Sequence, residues 1–226
     1  MHRPPVRRWV IAFYLCALAS IPVARPTAAR AEDSFPDPLP ADVRGVIVPE
    51  SSSITVRTFA AGLLSAFAHN HLIVFPQFTG NVIAAPDAPA RSAVEVTISA
   101  DSLEIRDPGI SASERRKVWH SAHDVALDAA HYPTVVFRST AVTAAQVAPG
   151  RYRLTLHGTL TLHGATRNIS FPAQVTVVGG DQLRVQGETR LRQTDYGIKP
   201  ITLLGGLVKT VDEVRVSFDV LVRRRE

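Results

Sequence analysis

The sequence predicts an all-β protein with one short helix, folded as an antiparallel, closed β-barrel of about eight strands. Apolar and polar residues alternate with a period of two through much of residues 43–226, which is typical of strands with one buried face. Short turns join several of these segments, so we expect neighbouring strands to be antiparallel. Because one short helix is too small to cover so large an apolar face, we expect the sheet to close on itself.

The clearest predicted strand spans residues 151–163, where the even positions are apolar or glycine and no odd position is apolar. A turn at residues 163–165 leads into the next strand, and the glycines at residues 179–180 predict a hairpin after it. A barrel of this size has room inside for its own side chains or for one small ligand. The other predicted strands are residues 54–58, 94–98, 135–142, 169–177, 183–191 and 214–222.

One helix is predicted to interrupt the strands. Ser111 and Glu114 have the spacing of a capping box, in which each side chain accepts a backbone N–H of the first helical turn. Tyr132-Pro133 is predicted to end this interruption before the next strand. The apolar residues that recur at helical spacing after the cap are Val118, Trp119, Ala122, Val125 and Ala126.

Residues 1–31 have the composition of a secretion signal. Three arginines precede an uncharged apolar run at residues 9–19, and a small-residue cleavage site ends at Ala31. The run has about eleven residues, whereas a membrane-spanning helix needs about twenty. We therefore expect cleavage after Ala31, a periplasmic or secreted location and a flexible lead-in at residues 32–42. Sec and twin-arginine export both stay open.

The charge balance changes once this segment is set aside. It holds five of the 25 basic residues and none of the 20 acidic ones, which leaves 20 of each sign. Nucleic-acid binding depends on clustered positive charge, so we expect no nucleic-acid partner. Cys16 is the only cysteine and lies in the same segment. The mature chain is therefore expected to lack disulfides, cysteine nucleophiles and cysteine-ligated metals.

Three stretches resemble motifs of the YceI-like family of lipid and polyisoprenoid binders. Residues 130–140 (AHYPTVVFRST) resemble the family's segment after its helix, and residues 158–167 (GTLTLHGATR) resemble its hairpin. Residues 195–198 (DYGI), followed by residues 211–214 (VDEV), resemble its C-terminal ending. These motifs occur in the family's order over roughly residues 46–222, which is nearly all of the expected mature chain.

The resemblance implies a lipocalin-like antiparallel barrel with a helix on one side, formed by residues 43–226. It also implies a long apolar tunnel for a polyprenyl chain, an exported location and no catalytic activity. The sequence departs from the family at residues 65–72, where members often have a glycine-containing stretch and this chain has His69 and His71. The chemistry of the pocket mouth, and hence the ligand head group, therefore stays open.

We predict a binding protein, with no catalytic residue, cofactor or metal, that holds a quinone, a polyprenol or a similar hydrophobic molecule. A buried methylene contributes about 0.8 kcal/mol, so a five-carbon isoprene unit contributes on the order of 4 kcal/mol. About two or three units would give micromolar affinity after the cost of association. The residues predicted to bind the ligand are Phe137, Leu154, Leu156, Leu160, Leu162, Phe171, Val175 and Phe218, with His69, His71 and Tyr196 nearer a mouth or polar end.

His69 and His71 are two residues apart, so in a strand they point the same way. They could cap buried backbone groups at the entrance of a strand, contact a quinone or phosphate head group, or bind a metal. Residues on the same predicted face are Phe67, Ile73 and Phe75. A metal would need further ligands, and the nearest in sequence are His120, His123 and His131. For the helix histidines we expect a solvated polar face, with a metal pair as the alternative.

Two other functions stay open. The first is a metal- or haem-associated redox accessory protein that uses His69 and His71. The second is a structural or interaction barrel whose interior is filled by side chains. The charged residues 223–225 are expected to be solvated, with transient contact to an anionic membrane surface as the alternative. Monomer and homodimer both stay open.

Overall fold

The computed structural model describes residues 43–62, 69–85, 88–203, 205 and 207–225, and all of them belong to one compact unit. The predicted secretion signal, its cleavage site and the lead-in lie outside these residues, as does Phe67. Those expectations therefore stay predictions.

The described residues contain fourteen strands, one α-helix and several 3₁₀ turns. The strands are β1 (Val43–Ile47), β2 (Ser53–Arg57), β3 (Ala60–Ala61), β4 (Leu72–Val74), β5 (Phe78–Ala84), β6 (Ala93–Ser99), β7 (Glu104–Ile105), β8 (Thr134–Ala148), β9 (Arg151–Leu162), β10 (Ala165–Gly179), β11 (Gln182–Arg192), β12 (Thr202–Leu203), β13 (Val208–Thr210) and β14 (Glu213–Arg224). The helix α1 (Ala112–His120) continues into a π-helical segment (Ser121–Ala126). The 3₁₀ turns are Pro49–Ser51, Pro89–Arg91, Ala100–Ser102 and Gln193–Tyr196.

Eight of the strands form a closed antiparallel barrel, so the predicted fold class is confirmed. Their order is β1-β5-β6-β8-β9-β10-β11-β14, and β14 pairs with β1 to close the ring. The composition of the ring differs from the prediction, because β1 and β5 belong to it whereas the predicted strand at residues 54–58 lies beside it as β2. Gly45 and Gly80 interrupt the alternation of apolar residues in β1 and β5, so the sequence pattern does not predict these two strands.

The sheet divides at β14, because two strands share one of its edges. β1 pairs with residues 222–224, while β2 pairs with residues 215–219. From β2 the sheet continues through β4 to β7. One branch therefore closes the barrel, and the other extends the wall beyond one end of it. A separate small sheet contains β12, β13 and β3.

The hairpins of the barrel follow the predicted alternation, with one shift. Leu156 and Leu160 of β9 are buried as expected. A bulge in β8 changes the inward positions, so Phe137 before it and Val142 after it are both buried. The β9–β10 turn at His163-Gly164 has φ angles of 50° and 72°, which is typical of a two-residue hairpin turn.

The predicted helix cap is confirmed. The Ser111 hydroxyl accepts from the Glu114 backbone N at 3.2 Å, and the Glu114 carboxylate accepts from the Ser111 backbone N at 3.0 Å. Val118 and Ala122 pack inward, but Val125 is 69% exposed, so its predicted inward position is wrong. The π-helical segment has more residues per turn than an α-helix, and this rotates Val125 off the apolar face.

Side-chain donors attach the helix to the extended branch of the sheet. Trp119 Nε1 donates to the carbonyl of Leu103 at 3.0 Å. The Arg115 guanidinium donates to the carbonyl of Ile105 and, at 3.2 Å, to that of Asp107. These bonds hold α1 against β7 and its flanking residues. Within the described ranges, no helix has the length and apolar character that a membrane crossing requires.

Candidate binding cavity

The barrel encloses a cavity with a volume of about 220 Å³, called here the inner cavity. Every strand of the ring contributes to its wall, and among the described residues that line it the only polar side chains are those of Ser92, Tyr152 and Thr189. The wall is therefore built mainly from the inward faces of the ring strands. The predicted ligand-binding residues on it are Phe137, Leu154, Leu156, Leu160, Phe171, Val175 and Phe218.

A larger cavity of about 1170 Å³, called here the outer cavity, lies at one end of the barrel. Its wall combines α1 and the π-helical segment with β2, β4 and the ends of β6, β8, β9, β11 and β14 that meet there. The division of the sheet at β14 creates this space, because the extended branch and the helix enclose a volume beyond the ring. The predicted residues Leu162, His69 and His71 lie on this wall.

The two cavities adjoin each other. The residues that line both are Ile54, Ile98, Leu160, Leu191 and Val216, and all five are apolar. An apolar wall therefore continues from inside the barrel to the helix-covered end. Small-molecule sites usually have volumes of about 300–1,000 Å³, and the outer cavity by itself is large enough for such a site. This open volume contradicts the alternative of an interior filled by side chains.

Three phenylalanines form one patch of the inner wall. The ring centroids of Phe137 and Phe171 are 5.2 Å apart, and those of Phe171 and Phe218 are 5.7 Å apart. Tilted and edge-on arrangements of this kind are favourable for aromatic rings. Two glycines make room for them, since a Cβ at Gly158 would approach the Phe137 ring to 2.7 Å and one at Gly187 would contact the Phe218 ring.

His71 lines the outer cavity with one ring nitrogen already engaged. Its Nδ1 lies 2.6 Å from Oδ2 of Asp107, whose side chain is 4% exposed. The other oxygen, Oδ1, accepts from the backbone N of Leu72 at 2.6 Å. Asp107, and not His71, therefore caps the backbone N–H of Leu72 at this strand entrance. Because Nδ1 faces the carboxylate, Nε2 is the nitrogen of His71 left for a ligand.

The predicted common face of this segment is borne out for the residues that the structure describes. His69, His71, Ile73 and Phe75 all contribute to the wall of the outer cavity. Ile73 and Phe75 are buried, His71 is half-buried and His69 is exposed. The polarity of the wall therefore rises towards solvent along this segment.

The helix histidines contact carboxylates. Nδ1 of His120 and Nδ1 of His123 lie 2.7 and 2.6 Å from the two oxygens of Asp124, and Nε2 of His123 lies 3.0 Å from Asp101. Burial lowers the pKa of His123, but hydrogen bonds to Asp124 and Asp101 outweigh it and raise that pKa above its ordinary value. No three His, Cys, Asp or Glu residues in the described part of the chain are grouped to hold a metal.

Tyr196 lines neither cavity, so its predicted position at a mouth is wrong. It ends the 3₁₀ turn that starts at Gln193, and Gly197 follows with a φ of 74°. This turn directs the ring into the core, where Tyr196 is 2% exposed and packs in one cluster with Ile198. Burial raises the pKa of its hydroxyl, and Asp195 adds to the effect.

Three charged residues at or behind the outer cavity are not marked by any sequence pattern. Asp107 precedes Pro108-Gly109, which indicates a turn and nothing more. Lys117 belongs to a charged helix surface, and Lys209 lies on the short strand β13. Only the fold brings both lysines to one cavity.

A closed antiparallel barrel around an apolar hollow, with a helix over one end, defines a lipocalin-like β-barrel protein. The chain belongs to the family described as the YceI-like domain, whose model matches residues 46–222. This confirms the resemblance found in the sequence motifs. A UPF0312 protein of Vibrio cholerae serotype O1, strain O395, is 34% identical over 130 residues. The matched region covers 55% of this chain and 63% of the length of that relative.

Solved structures with the same fold include two bacterial proteins. BcnA of Burkholderia cenocepacia aligns with a TM-score of 0.58 and 18% identity over 77% of this chain and 98% of BcnA. A polyisoprenoid binding domain from Saccharophagus degradans, implicated in plant cell wall breakdown, aligns with a TM-score of 0.56 and 13% identity over 81% of this chain and 99% of the domain. At these identities the likeness is one of fold.

Proposed function

We propose that this protein holds an isoprenoid-type lipid, a quinone or a polyprenol, in the inner and outer cavities, as an exported carrier or store. The observation behind the proposal is the apolar wall that joins the chamber inside the barrel to a wider chamber with a polar rim. A linear chain of repeated apolar units suits this shape. Its tail would pass the junction at Leu160 and Val216, and its polar end would stay in the outer cavity.

The energetics favour a long ligand without charge along its chain. Each isoprene unit contributes on the order of 4 kcal/mol on burial, so affinity should rise with chain length until the cavities are full. The inner wall offers a few hydroxyl groups among aliphatic and aromatic side chains, so it would select by length and shape. We propose accordingly that the protein acts by binding alone and carries out no reaction on the lipid.

Two further considerations support the proposal. The Saccharophagus degradans domain with this fold is named as polyisoprenoid-binding, and we extend that property to this chain. The export part rests on residues 1–31, whose arginines, apolar run and small-residue site are typical of a secretion signal.

Titration of the delipidated protein with prenyl alcohols of two, three and four isoprene units, followed by calorimetry, tests the proposal. We expect the dissociation constant to fall by at least about ten-fold per added unit until the cavities are full. Absence of binding, or affinity that does not depend on chain length, would overturn it. Stoichiometric metal that disappears in His69→Ala and His71→Ala would instead favour the redox alternative.

A further inference from the structure

The exposed residues at the opening of the outer cavity are all of one chemical type. We place the opening at the residues that line this cavity and are also exposed to solvent. Those residues are His69, Lys117, His120, Arg192 and Lys209, and every one is basic or a histidine. No aspartate or glutamate is among the described residues that line this cavity. The rest of the wall is apolar or uncharged apart from the half-buried His71.

The two lysines carry the excess charge at this opening. Neither ammonium group forms an ion pair with any residue that the structure describes. Lys117 comes from α1 and Lys209 from β13, so two separate elements bring them to one cavity. The remaining lysine of the sequence, Lys199, lines neither cavity. Two of the three lysines of a chain whose expected mature form has no net charge thus lie at one opening.

Nearby acids have other partners. The Glu114 carboxylate, which is close enough to His69 and Lys117 to interact with their charges, accepts from the backbone and hydroxyl of Ser111. Asp107 is bound to His71 and to the backbone of Leu72 behind the wall.

Three arginines on the outer barrel face differ from the two lysines at the opening. There Arg184 pairs with Asp219, Arg190 with Glu213, and Arg138 with Glu95. These three arginines have carboxylate partners, whereas Lys117 and Lys209 have no carboxylate within ion-pair distance among the described residues.

We propose that the head group of the bound lipid is anionic, a phosphate or diphosphate ester of the prenyl chain, held by Lys117 and Lys209 at the opening of the outer cavity. This inference rests on the proposed function and narrows it, since a neutral quinone or free alcohol would leave these charges without a counterpart. Ammonium groups bind phosphate oxygens as point charges, and an adjacent apolar cavity lowers the screening of that attraction. Arg192 and the histidines add donors around the same opening.

Farnesyl diphosphate and farnesol form a suitable pair of probes, because they share one chain and differ only in the head group. We expect calorimetry on the delipidated protein at low salt to give about ten-fold tighter binding of farnesyl diphosphate. In the double variant Lys117→Gln/Lys209→Gln the ratio of the two dissociation constants should fall to within about two-fold of one. Lys199→Gln is the matched control and should keep the wild-type ratio.

Several results would overturn the inference and are distinguishable from one another. Equal dissociation constants for the two probes, or a preference that survives in the double variant, would remove the head-group assignment while farnesol binding preserves the proposed function. Failure of both probes to bind would reject the proposed function as well. Lysine-dependent binding to phosphatidylglycerol vesicles free of prenyl lipid, without a preference for the diphosphate probe, would assign the lysines to a membrane surface instead.

Discussion

Asp107 bonds to His71, to Leu72 and to the helix α1 beside the outer cavity. Its carboxylate accepts from the backbone N of Leu72 and contacts Nδ1 of His71, and its carbonyl accepts from Arg115 of α1. The residue is 5% exposed. A buried acceptor of this kind stabilises its neighbours by making bonds that water cannot replace. It also engages Nδ1 of His71, which leaves Nε2 for a ligand.

Replacing this carboxylate should destabilise the protein. Asp107→Ala leaves the Leu72 N–H and a ring nitrogen of His71 without their acceptor, so we expect the free energy of unfolding to fall by about 1–3 kcal/mol. Urea denaturation measures the loss. Asp101→Ala is the control, because Asp101 is a solvent-exposed partner of His123, and it should cost less than about 1 kcal/mol. Equal losses in the two variants would contradict the role assigned to Asp107.

His123 should make stability depend on pH near neutrality. Its pKa is raised in the folded protein above an unfolded value of about 6.5, so its contribution is complete below about pH 6.5 and is lost as pH rises through the folded pKa. Asp124, whose pKa is lowered by hydrogen bonds from His123 and His120, titrates well below this window. We expect the urea midpoint to fall between about pH 6 and about pH 8.

The variant His123→Gln should flatten that pH dependence. His131→Gln is the comparison, because hydrogen bonding to Asp128 also raises the pKa of His131 but its side chain is 77% exposed. Solvent screening makes the contribution of His131 to stability smaller, so His131→Gln should keep most of the change of the urea midpoint with pH. If the urea midpoint of His123→Gln changes with pH as much as that of the wild type, the Asp124–His123–Asp101 contacts do not stabilise the fold.

At the scale of single elements, α1 determines how the outer cavity is covered. The helix and the π-helical segment supply Val118, Ala122 and Ala126 to the wall, although none of the α1 residues is fully buried. Its position depends on a cap at one end and on Arg115 and Trp119 in the middle. Elements with few buried contacts open first, so the helix is the part of the wall most able to move.

Removal of the cap should loosen this element. Ser111→Ala loses the acceptor for the Glu114 backbone N–H, and we expect a loss of about 1 kcal/mol in unfolding free energy. Hydrogen exchange should become faster for the amides of residues 112–126 and stay unchanged in β9 and β10. Ser170→Ala on the exposed face of β10 is the control and should alter neither region. Uniform acceleration throughout the barrel would contradict a local role for the cap.

Local sequence patterns predict the elements that are paired continuously with neighbouring strands or that depend on residues close together in the chain. The strand at residues 151–163 was predictable because β9 is paired on both sides over most of its length, so one face must be apolar throughout. The helix cap was predictable because it depends on two residues three apart. Val125 and Tyr196 were misplaced because a π-helical segment and a 3₁₀ turn change the direction of side chains without leaving an apolar period.

The phenylalanines and leucines of the candidate site follow from the same alternation, whereas its charges do not. Phe137, Leu156 and Phe171 face inward because they are the apolar members of alternating strands. Lys117 and Lys209 line one cavity only because the fold places α1 and β13 beside it. Contacts between segments so far apart in the chain are not encoded in any local pattern.

For the whole molecule, the junction between the two cavities should limit the length of the lipid. Val216 lines both cavities, so Val216→Trp would place an indole ring between them. In this variant we expect a four-unit prenyl alcohol to bind less than about ten-fold more tightly than a two-unit alcohol, because the tail can no longer enter the barrel. Calorimetry measures both dissociation constants.

Ser217→Trp is the matched control for this variant. It adds the same bulk to the adjacent position of β14, which faces outward and lines neither cavity. This variant should keep the dependence of affinity on chain length. An unchanged dependence in Val216→Trp would mean that the lipid does not pass the junction, even if it still binds in the outer cavity.

The most direct measurement is native mass spectrometry of the protein purified from its own host, combined with organic extraction and analysis of the bound lipid. A hollow barrel that carries an isoprenoid predicts one prenyl lipid per chain, lost on extraction and regained on addition of the same lipid. Repeated recovery of unliganded protein, with the delipidated form refusing quinone, polyprenol and prenyl phosphate alike, would contradict it.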